Sequence, residues 1–147
     1  MGAEPRLRPL YRLYMTANQP KSHRRLVLWQ KSVRLAVEIH RVSRRLPKHE
    51  LFGLAAQMNR AAVSIPSNVA EGAARHTTRD YIRFLYIARG SSAEIDTQLL
   101  LAEELGYLTR DEIAPAVAIS DEVGRLLNAV ITALHRRLND QPLTPSP

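Results

Sequence analysis

Apolar side chains recur at helical spacing along most of the chain, beginning at Leu26. In residues 26–46 they fall on one broad arc when successive residues are turned by about 100°. Pro47 ends the pattern, because a proline disfavours helical geometry in the residue before it. The pattern predicts a first amphipathic helix whose inner arc consists of Leu28, Trp29, Leu35, Ala36, Ile39, Val42 and Leu46.

A second apolar period, over residues 52–73, runs through a proline. Its inner positions are Leu54, Met58, Ala61, Ile65 and Val69. Because the period continues beyond Pro66, we expect this proline to kink the second helix rather than to end it. Gly72 marks the predicted exit of the helix.

Two capping patterns open the third and fourth helices. Thr77 with Asp80 and Thr109 with Glu112 both have the spacing of a capping box. Gly106, between these two helices, suits the left-handed backbone that follows a helix. The third inner stripe consists of Tyr81, Phe84, Leu85, Ala88, Ser92, Ile95, Leu99 and Ala102. The fourth consists of Ile113, Ala116, Val117, Ser120, Val123, Leu127, Val130, Ile131, Leu134 and Leu138.

Four amphipathic helices with short connections, and no convincing strand, predict an all-α fold: an antiparallel up-down-up-down four-helix bundle with a kinked second helix. Gly90 and Gly124 each lower helix stability by about 1 kcal/mol relative to alanine, so we expect them to mark close helix packing. The predicted organisation is a basic flexible arm over residues 1–25, the bundle over 26–139 and a disordered tail over 140–147. Met15 is an alternative start, because the periodic sequence begins after it.

The third helix also carries apolar residues outside its inner stripe. One flank holds Ile82, Tyr86, Ala93 and Leu100, and the other holds Ile87, Leu101 and Leu105. A helix that is apolar over most of its circumference cannot bury all of that surface inside one four-helix monomer. We therefore expect self-association, with scattered surface apolar residues as the alternative.

Positive charge is concentrated in the first third of the chain. Residues 1–48 hold 12 Lys/Arg and 2 acids, whereas residues 49–147 hold 9 Lys/Arg and 12 acids, and the whole chain is formally +7. In the first helix the cations lie opposite the apolar arc. This asymmetry predicts a basic face for an anionic partner, with a solvated surface as the alternative. The candidate nucleic-acid contacts are Arg24, Arg25, Lys31, Arg34, Arg41, Arg44 and Arg45.

The residues offer little support for catalysis or for a bound cofactor. The absence of cysteine excludes disulfides, thiolate metal sites and Cys nucleophiles, and no glutamate is followed three residues later by histidine, as a di-iron bundle requires. His40 and Met58 are the candidate pair for a non-covalent haem, but a packing role is far commoner for such residues. We expect no enzyme activity, no cofactor and no metal. Without an apolar run of about 20 residues or a signal peptide, we expect a cytoplasmic protein with no membrane partner.

Polar residues cluster around the predicted kink and on the facing third helix. They are Asn59, Arg60, Ser64, Ser67, Asn68 and Glu71, opposite Ser91, Glu94 and Gln98. An interhelical hydrogen-bond network would fix the helix register and offset the backbone bond lost at Pro66. A ligand site is the alternative interpretation.

The segment Arg60-Ala-Ala-Val-Ser-Ile-Pro-Ser-Asn-Val-Ala-Glu-Gly72 resembles the four-helix-bundle proteins encoded in intervening sequences of bacterial 23S ribosomal RNA genes. The resemblance continues through Tyr81-Ile-Arg-Phe-Leu, Ala88-Arg-Gly-Ser-Ser-Ala-Glu-Ile-Asp-Thr-Gln-Leu and Glu104-Leu-Gly-Tyr-Leu. It extends from near Trp29 to near Leu138. The resemblance implies structural roles for the matching motif residues, which include Arg60, Pro66, Asn68, Glu71, Gly72, Glu94 and Gln98.

The resemblance implies an up-down bundle that assembles as a ring-shaped homopentamer. More distantly similar bundles are accessory proteins of diversity-generating retroelements, in which a basic pentamer binds nucleic acid and a reverse transcriptase. The basic arm lies outside the matched region, so nucleic-acid binding rests on the charge pattern together with this analogy.

Two functions follow as expectations. The first is a non-enzymatic oligomer that binds RNA or DNA backbone through the arm and the first helix, with little sequence readout. The second is a protein–protein adaptor or accessory subunit, for example of a reverse transcriptase. A cofactor-binding enzyme is a distant third.

Overall fold

The computed structural model describes residues 26–140, which fold into four long helices. The helices are α1 (Val27–Ser43), α2 (Leu54–Ala73), α3 (Thr78–Glu104) and α4 (Arg110–Asn139), with a one-turn 3-10 helix at Lys48–Glu50. No strand occurs between residues 26 and 140, and the all-α four-helix prediction is confirmed. The predicted arm, and the predicted tail after residue 140, lie outside the described residues.

Each helix packs against its neighbours in sequence, and α1 closes the bundle against α4. Along α1 and α4 the contacts run in opposite directions: Lys31 meets Glu122, whereas Arg45 meets Glu112. The same reversal relates α3 to α4 and α2 to α3, as expected for antiparallel neighbours. The start of α1, the end of α2, the start of α3 and the end of α4 therefore lie at one end of the bundle.

The core runs along the inside of all four helices. Its large side chains are almost fully withdrawn from solvent because each helix presents its apolar stripe to the bundle axis. Burying one such side chain contributes about 1.5–3 kcal/mol relative to leaving it exposed, so the shared core is the main source of stability. These side chains include Leu35, Ile39, Met58, Ile65, Leu85, Ile95, Leu99 and Leu127.

Two helix boundaries differ from the prediction. Helix α1 ends at Ser43 rather than near Leu46, because the N–H groups of Arg45 and Leu46 donate to carbonyls only three residues back, in a tightening turn before Pro47. Helix α2 begins at Leu54, whose N–H donates to Glu50 Oε2 at 2.8 Å. Capping by a carboxylate from the preceding turn was not foreseen.

The predicted capping pattern is complete at one helix and partial at the other. At α4, the Thr109 N–H donates to Glu112 Oε2 at 2.7 Å, and the Glu112 N–H donates to Thr109 Oγ1 at 3.2 Å. At α3, the Asp80 N–H donates to Thr77 Oγ1 at 3.1 Å, but the Asp80 carboxylate lies beside Arg83 at 3.5 Å.

The turn between α3 and α4 matches the prediction for glycine at a helix C terminus. Gly106 has φ 73°, in the left-handed region. Its N–H donates to the Glu103 carbonyl at 2.9 Å, and the Tyr107 N–H donates to the Ala102 carbonyl at 3.0 Å. This pair of bonds is the Schellman motif, which satisfies carbonyls that the end of a helix leaves open.

The interior glycines correct one expectation. A Cβ built at Gly90 or Gly124 would meet no neighbouring atom within 4 Å, so the prediction that these glycines mark close packing is wrong. The close approach occurs instead at Gly72, where a Cβ would stand 2.8 Å from both Phe84 Cβ and Tyr81 Cδ2.

Helix α2 continues through Pro66 to Ala73, so the proline does not end it, and the kink stays a prediction. Between residues 26 and 140, none of the helices combines the length and the apolar character needed to cross a membrane.

Candidate nucleic-acid interface

Two of the predicted nucleic-acid contacts on α1 join the helix to α4. Lys31 Nζ lies 3.1 Å from Glu122 Oε1, and Arg45 Nη1 lies 3.9 Å from Glu112 Oε1. Lys31 is the more covered of the two cations, whereas Arg45 stands largely in solvent. Two cations of the predicted basic face of α1 are therefore paired with carboxylates of α4, which reduces the positive charge available to a partner.

The remaining predicted contacts are spread along α1 and beyond it. Arg41 is half exposed, with Nη1 3.4 Å from Glu38 Oε2, and Arg44 is exposed. Arg34 is half buried and already takes part in contacts of its own. Arg24 and Arg25 lie outside the described residues.

The C-terminal end of α1 is where the structure brings exposed cations together. Arg41, Arg44, Arg45 and Lys48 all stand at the surface there, within two helical turns. Lys48 was not among the predicted contacts, because Pro47 separates it from the helix. We call these four residues the α1 basic cluster.

The N-cap hydrogen bonds of α4 favour the ionised form of the Glu112 carboxylate. The Thr109 backbone N–H bonded to its carboxylate is the main cause that lowers the pKa of Glu112 from its ordinary value of 4.5. The Thr109 hydroxyl and the positive charge of Arg45 act in the same direction, whereas partial desolvation opposes them. The carboxylate next to Arg45 is therefore ionised at neutral pH.

The net charge of the described residues is small. Residues 26–140 contain 15 Lys/Arg and 13 Asp/Glu, whereas residues 1–25 contain 6 Lys/Arg and 1 acid. Most of the excess positive charge thus lies in the segment that precedes α1. The predicted basic face of α1 is weaker than the sequence pattern indicated, because carboxylates of other elements lie beside it.

Part of the predicted polar network forms between α2 and α3. Ser91 Oγ donates to Ser64 Oγ at 2.9 Å, and Asn68 Nδ2 donates to the Ser64 carbonyl and hydroxyl at 2.8 and 2.9 Å. The helical bond that is lost at Pro66 is the one that the Ala62 carbonyl would accept. The hydrogen bonds of Asn68 and Ser91 end on Ser64, so they do not replace it. Arg60 and Glu94 are exposed, and no ion pair joins them in residues 26–140.

The other predicted motif residues have different surroundings. The Glu71 carboxylate pairs with Arg75 on its own helix at 2.8 Å. Gln98 is buried, and its Oε1 accepts no hydrogen bond within residues 26–140. The Tyr81 hydroxyl is also buried without a partner there, and burial raises the pKa of Tyr81.

Most of the apolar flanks predicted on α3 are exposed. Ile87, Leu101 and Leu105 have relative exposures of 44%, 46% and 52%. On the other flank Tyr86, Ala93 and Leu100 are exposed, but Ile82 is buried in the core because α3 turns it inward. Phe52, which sequence reasoning did not single out, is 92% exposed in the turn before α2.

A groove of about 610 Å³ runs between the C-terminal half of α3 and the N-terminal half of α4. Its floor is apolar and includes Leu100 and Val117, while Asp96, Glu103 and Asp121 contribute carboxylates. Within residues 26–140, no three His, Cys, Asp or Glu side chains are grouped so that they could hold a metal ion. His40 is exposed and Met58 is fully buried.

Three further arginines stack on aromatic rings near the start of α3. The guanidinium carbons of Arg75 and Arg83 lie 4.6 and 4.8 Å from the centre of the Phe84 ring. That of Arg89 lies 4.6 Å from the centre of the Tyr86 ring. Helical periodicity gives no signal for the contact of Arg75 with Phe84, because Arg75 lies in the turn between α2 and α3 and meets this ring only in three dimensions.

The model of the 23S rRNA-intervening sequence protein family matches residues 24–129. Among solved structures, a protein of unknown function from the S23 ribosomal protein family of Bacteroides thetaiotaomicron is similar, with 28% sequence identity and a TM-score of 0.67. The similarity covers 71% of this chain and 98% of that one. A search of curated proteins finds no match.

Proposed function

The chain belongs to the 23S rRNA-intervening sequence protein family, and from this premise we propose that it is a non-enzymatic, self-associating bundle that binds the phosphate backbone of RNA or DNA. The binding uses the cations of residues 1–48, with the α1 basic cluster as the part of this surface in the described residues.

The observation that carries the proposal is the concentration of cations in the first third of the chain. Residues 1–48 hold 12 Lys/Arg against 2 acids, and the α1 basic cluster is exposed. Exposed ion pairs contribute only about 0–1 kcal/mol, so the pairs of Arg41 and Arg45 are weak competitors for a polyanion. Dense phosphates displace such carboxylates at little cost.

Self-association supports this function by repeating the basic surface. The exposed apolar side chains of α3 provide a face that one monomer leaves open to solvent. We propose that this face joins copies of the chain, in a homopentamer as the family resemblance implies. Several linked basic surfaces bind one polyanion much more tightly than a single surface does.

A binding assay with generic RNA and with duplex DNA tests the proposal. We expect the full chain to bind both at low salt with little preference for sequence, because arginine contacts with phosphate carry no base readout. Changing Arg41, Arg44, Arg45 and Lys48 to glutamine should weaken both complexes at least about tenfold. Failure of the full chain to bind either polymer at low salt contradicts the proposal.

Arg110→Gln is a single-site control for the effect of removing an exposed cation outside the α1 basic cluster. The Arg110 side chain is 86% exposed and paired with Glu103, so it resembles the cluster in exposure but lies on α4 beside the groove. We expect this change to leave nucleic-acid binding within about twofold, because one exposed pair contributes little.

The groove between α3 and α4 favours a second function, that of an adaptor for another protein. Its apolar floor and carboxylates suit a protein segment better than a phosphate backbone. The discriminating result is a salt-resistant complex with a purified reverse transcriptase, in a protein that binds neither RNA nor DNA at low salt.

A further inference from the structure

The fold brings cations from the α2–α3 turn and from α3 towards the end of the bundle where α1 begins. Arg75 lies in the turn after α2, Arg83 lies in the first two turns of α3, and Arg89 lies six residues further along α3, with the end of α4 packed beside this part of the helix. The packing of the α2–α3 turn against Phe84 places Arg75 near Arg83, which α3 alone does not do.

Aromatic rings hold these arginines in place. Arg75 and Arg83 both stack on Phe84, so their guanidinium carbons lie less than about 10 Å apart. Phe84 is itself buried, and Gly72 fits closely against its Cβ, which fixes the ring. A stacked guanidinium keeps its N–H donors at the edge of its plane, where an anion can reach them.

The third arginine is fixed by contacts between α3 and α4. Arg89 stacks on Tyr86, and its Nη1 lies 3.4 Å from Asn128 Oδ1. The Tyr86 hydroxyl in turn lies 3.2 Å from His135 Nε2. Because these side chains are already ordered, binding a ligand costs less side-chain entropy than it would at a mobile arginine.

The charge at this end of the bundle is positive even after its carboxylates are included. Glu71 pairs with Arg75 and Asp80 with Arg83, and both pairs are exposed. The described charged residues at the helix termini there are Arg75, Arg79, Arg83, Arg136 and Arg137, against Glu71, Asp80 and Asp140.

We propose that this surface, which we call the stacked-arginine site, binds successive phosphates of a nucleic-acid strand, with Arg75, Arg83 and Arg89 as the contacts. The inference rests on the proposed function and assigns it a second site, at the opposite end of the bundle from the α1 basic cluster. Planar guanidinium groups match the oxygens of a phosphate bidentately, which favours phosphodiesters over the carboxylates of an acidic protein.

The test compares salt-dependent RNA binding by the full chain and by the triple variant Arg75→Gln, Arg83→Gln and Arg89→Gln. We expect the slope of log K against log salt to become shallower by about 0.7 for each phosphate contact removed from a single strand, so by about two units in the triple variant. The matched control changes Arg60, Arg110 and Arg125 to glutamine, which removes the same charge elsewhere. Its slope should remain near that of the full chain.

Each outcome has a distinct meaning. A triple variant that binds like the full chain, or a control that loses as much as the triple variant, overturns the stacked-arginine site and leaves the proposed function standing. A full chain that binds no nucleic acid overturns both. Polyglutamate that displaces RNA at equal charge concentration overturns the phosphate assignment.

The triple variant also loses the stacking contacts with Phe84, so a loss of RNA binding must be distinguished from a loss of folding. Circular dichroism reports whether the triple variant remains helical. The single variant Arg89→Gln leaves the Phe84 stack intact and should make the slope shallower by about 0.7 if the site exists. An unchanged slope in a folded Arg89→Gln protein removes Arg89 from the site.

Discussion

The neighbours of Gly72 leave no room for a side chain larger than a hydrogen atom. A Cβ there would lie 2.8 Å from Phe84 Cβ and from Tyr81 Cδ2, and 3.2 Å from the Tyr81 carbonyl oxygen. The Phe84 Cβ and the carbonyl oxygen are fixed by the backbone of α3 and cannot easily move away. Gly124 is also inside a helix, but nothing approaches the position of its missing Cβ within 4 Å. The sequence pattern placed Gly72 at the exit of the second helix and Gly124 inside the fourth, and only the packing shows which of the two has no room for a side chain.

We therefore expect opposite effects from the same substitution at these two positions. Gly72→Ala should destabilise the fold by about 1–3 kcal/mol through overpacking, despite the better helix propensity of alanine. Gly124→Ala should stabilise it by up to about 1 kcal/mol, because it gains that propensity without a clash. Denaturant unfolding of both variants measures the difference. Equal effects at the two positions contradict the account.

At the scale of the element, helix α4 shows how capping residues couple stability to pH. Glu112 accepts a hydrogen bond from the Thr109 N–H and faces Arg45 of α1. Both interactions favour the ionised carboxylate and so lower its pKa. A group with a lowered pKa contributes stability above its unfolded value, and the contribution is lost as the pH falls through the folded value.

Glu112→Gln keeps an acceptor for the Thr109 N–H but loses the charge. We expect it to be less stable than the natural protein at about pH 7 and to approach it in stability as the pH falls below 4.5 and through the lowered pKa of Glu112. Thr109→Ala should cost about 1 kcal/mol, the usual effect of losing an N-cap. Thermal unfolding across this range provides the measurement. A Glu112→Gln difference that is independent of pH contradicts the charge argument.

The helices could be predicted from local sequence patterns, whereas the contacts between helices could not. The four helices, the Thr109 cap and the left-handed Gly106 were predicted because each depends on residues close in sequence. The partners of Lys31 and Arg45 are glutamates of α4, more than sixty residues away. Charge counted along α1 therefore overstated the basic character of its surface.

At the scale of the whole molecule, the exposed apolar face of α3 requires an explanation. Ile87, Leu101 and Leu105 stand in solvent in one copy of the chain, although a helix in a monomeric bundle usually presents polar residues outward. Burying this face against another copy removes it from water. The sequence indicated the face correctly, because the surplus of apolar positions is visible without coordinates.

Leu101→Glu combined with Leu105→Glu should convert the proposed oligomer to a single chain. Each introduced charge would have to be buried in the interface without a partner, which is costly. Val37→Glu, an exposed apolar position on α1, is the control and should leave the mass unchanged. Sedimentation analysis gives the mass. A single-chain mass for the unmodified protein contradicts self-association.

We propose that the cations of this chain bind the phosphate backbone of nucleic acid. The most direct measurement is the affinity of the full chain for a generic RNA as a function of salt concentration. Backbone binding predicts that log K falls linearly with log salt, with a slope of about −0.7 for each phosphate contacted on a single strand. An affinity that does not change with salt, or no affinity at the lowest salt, contradicts the claim.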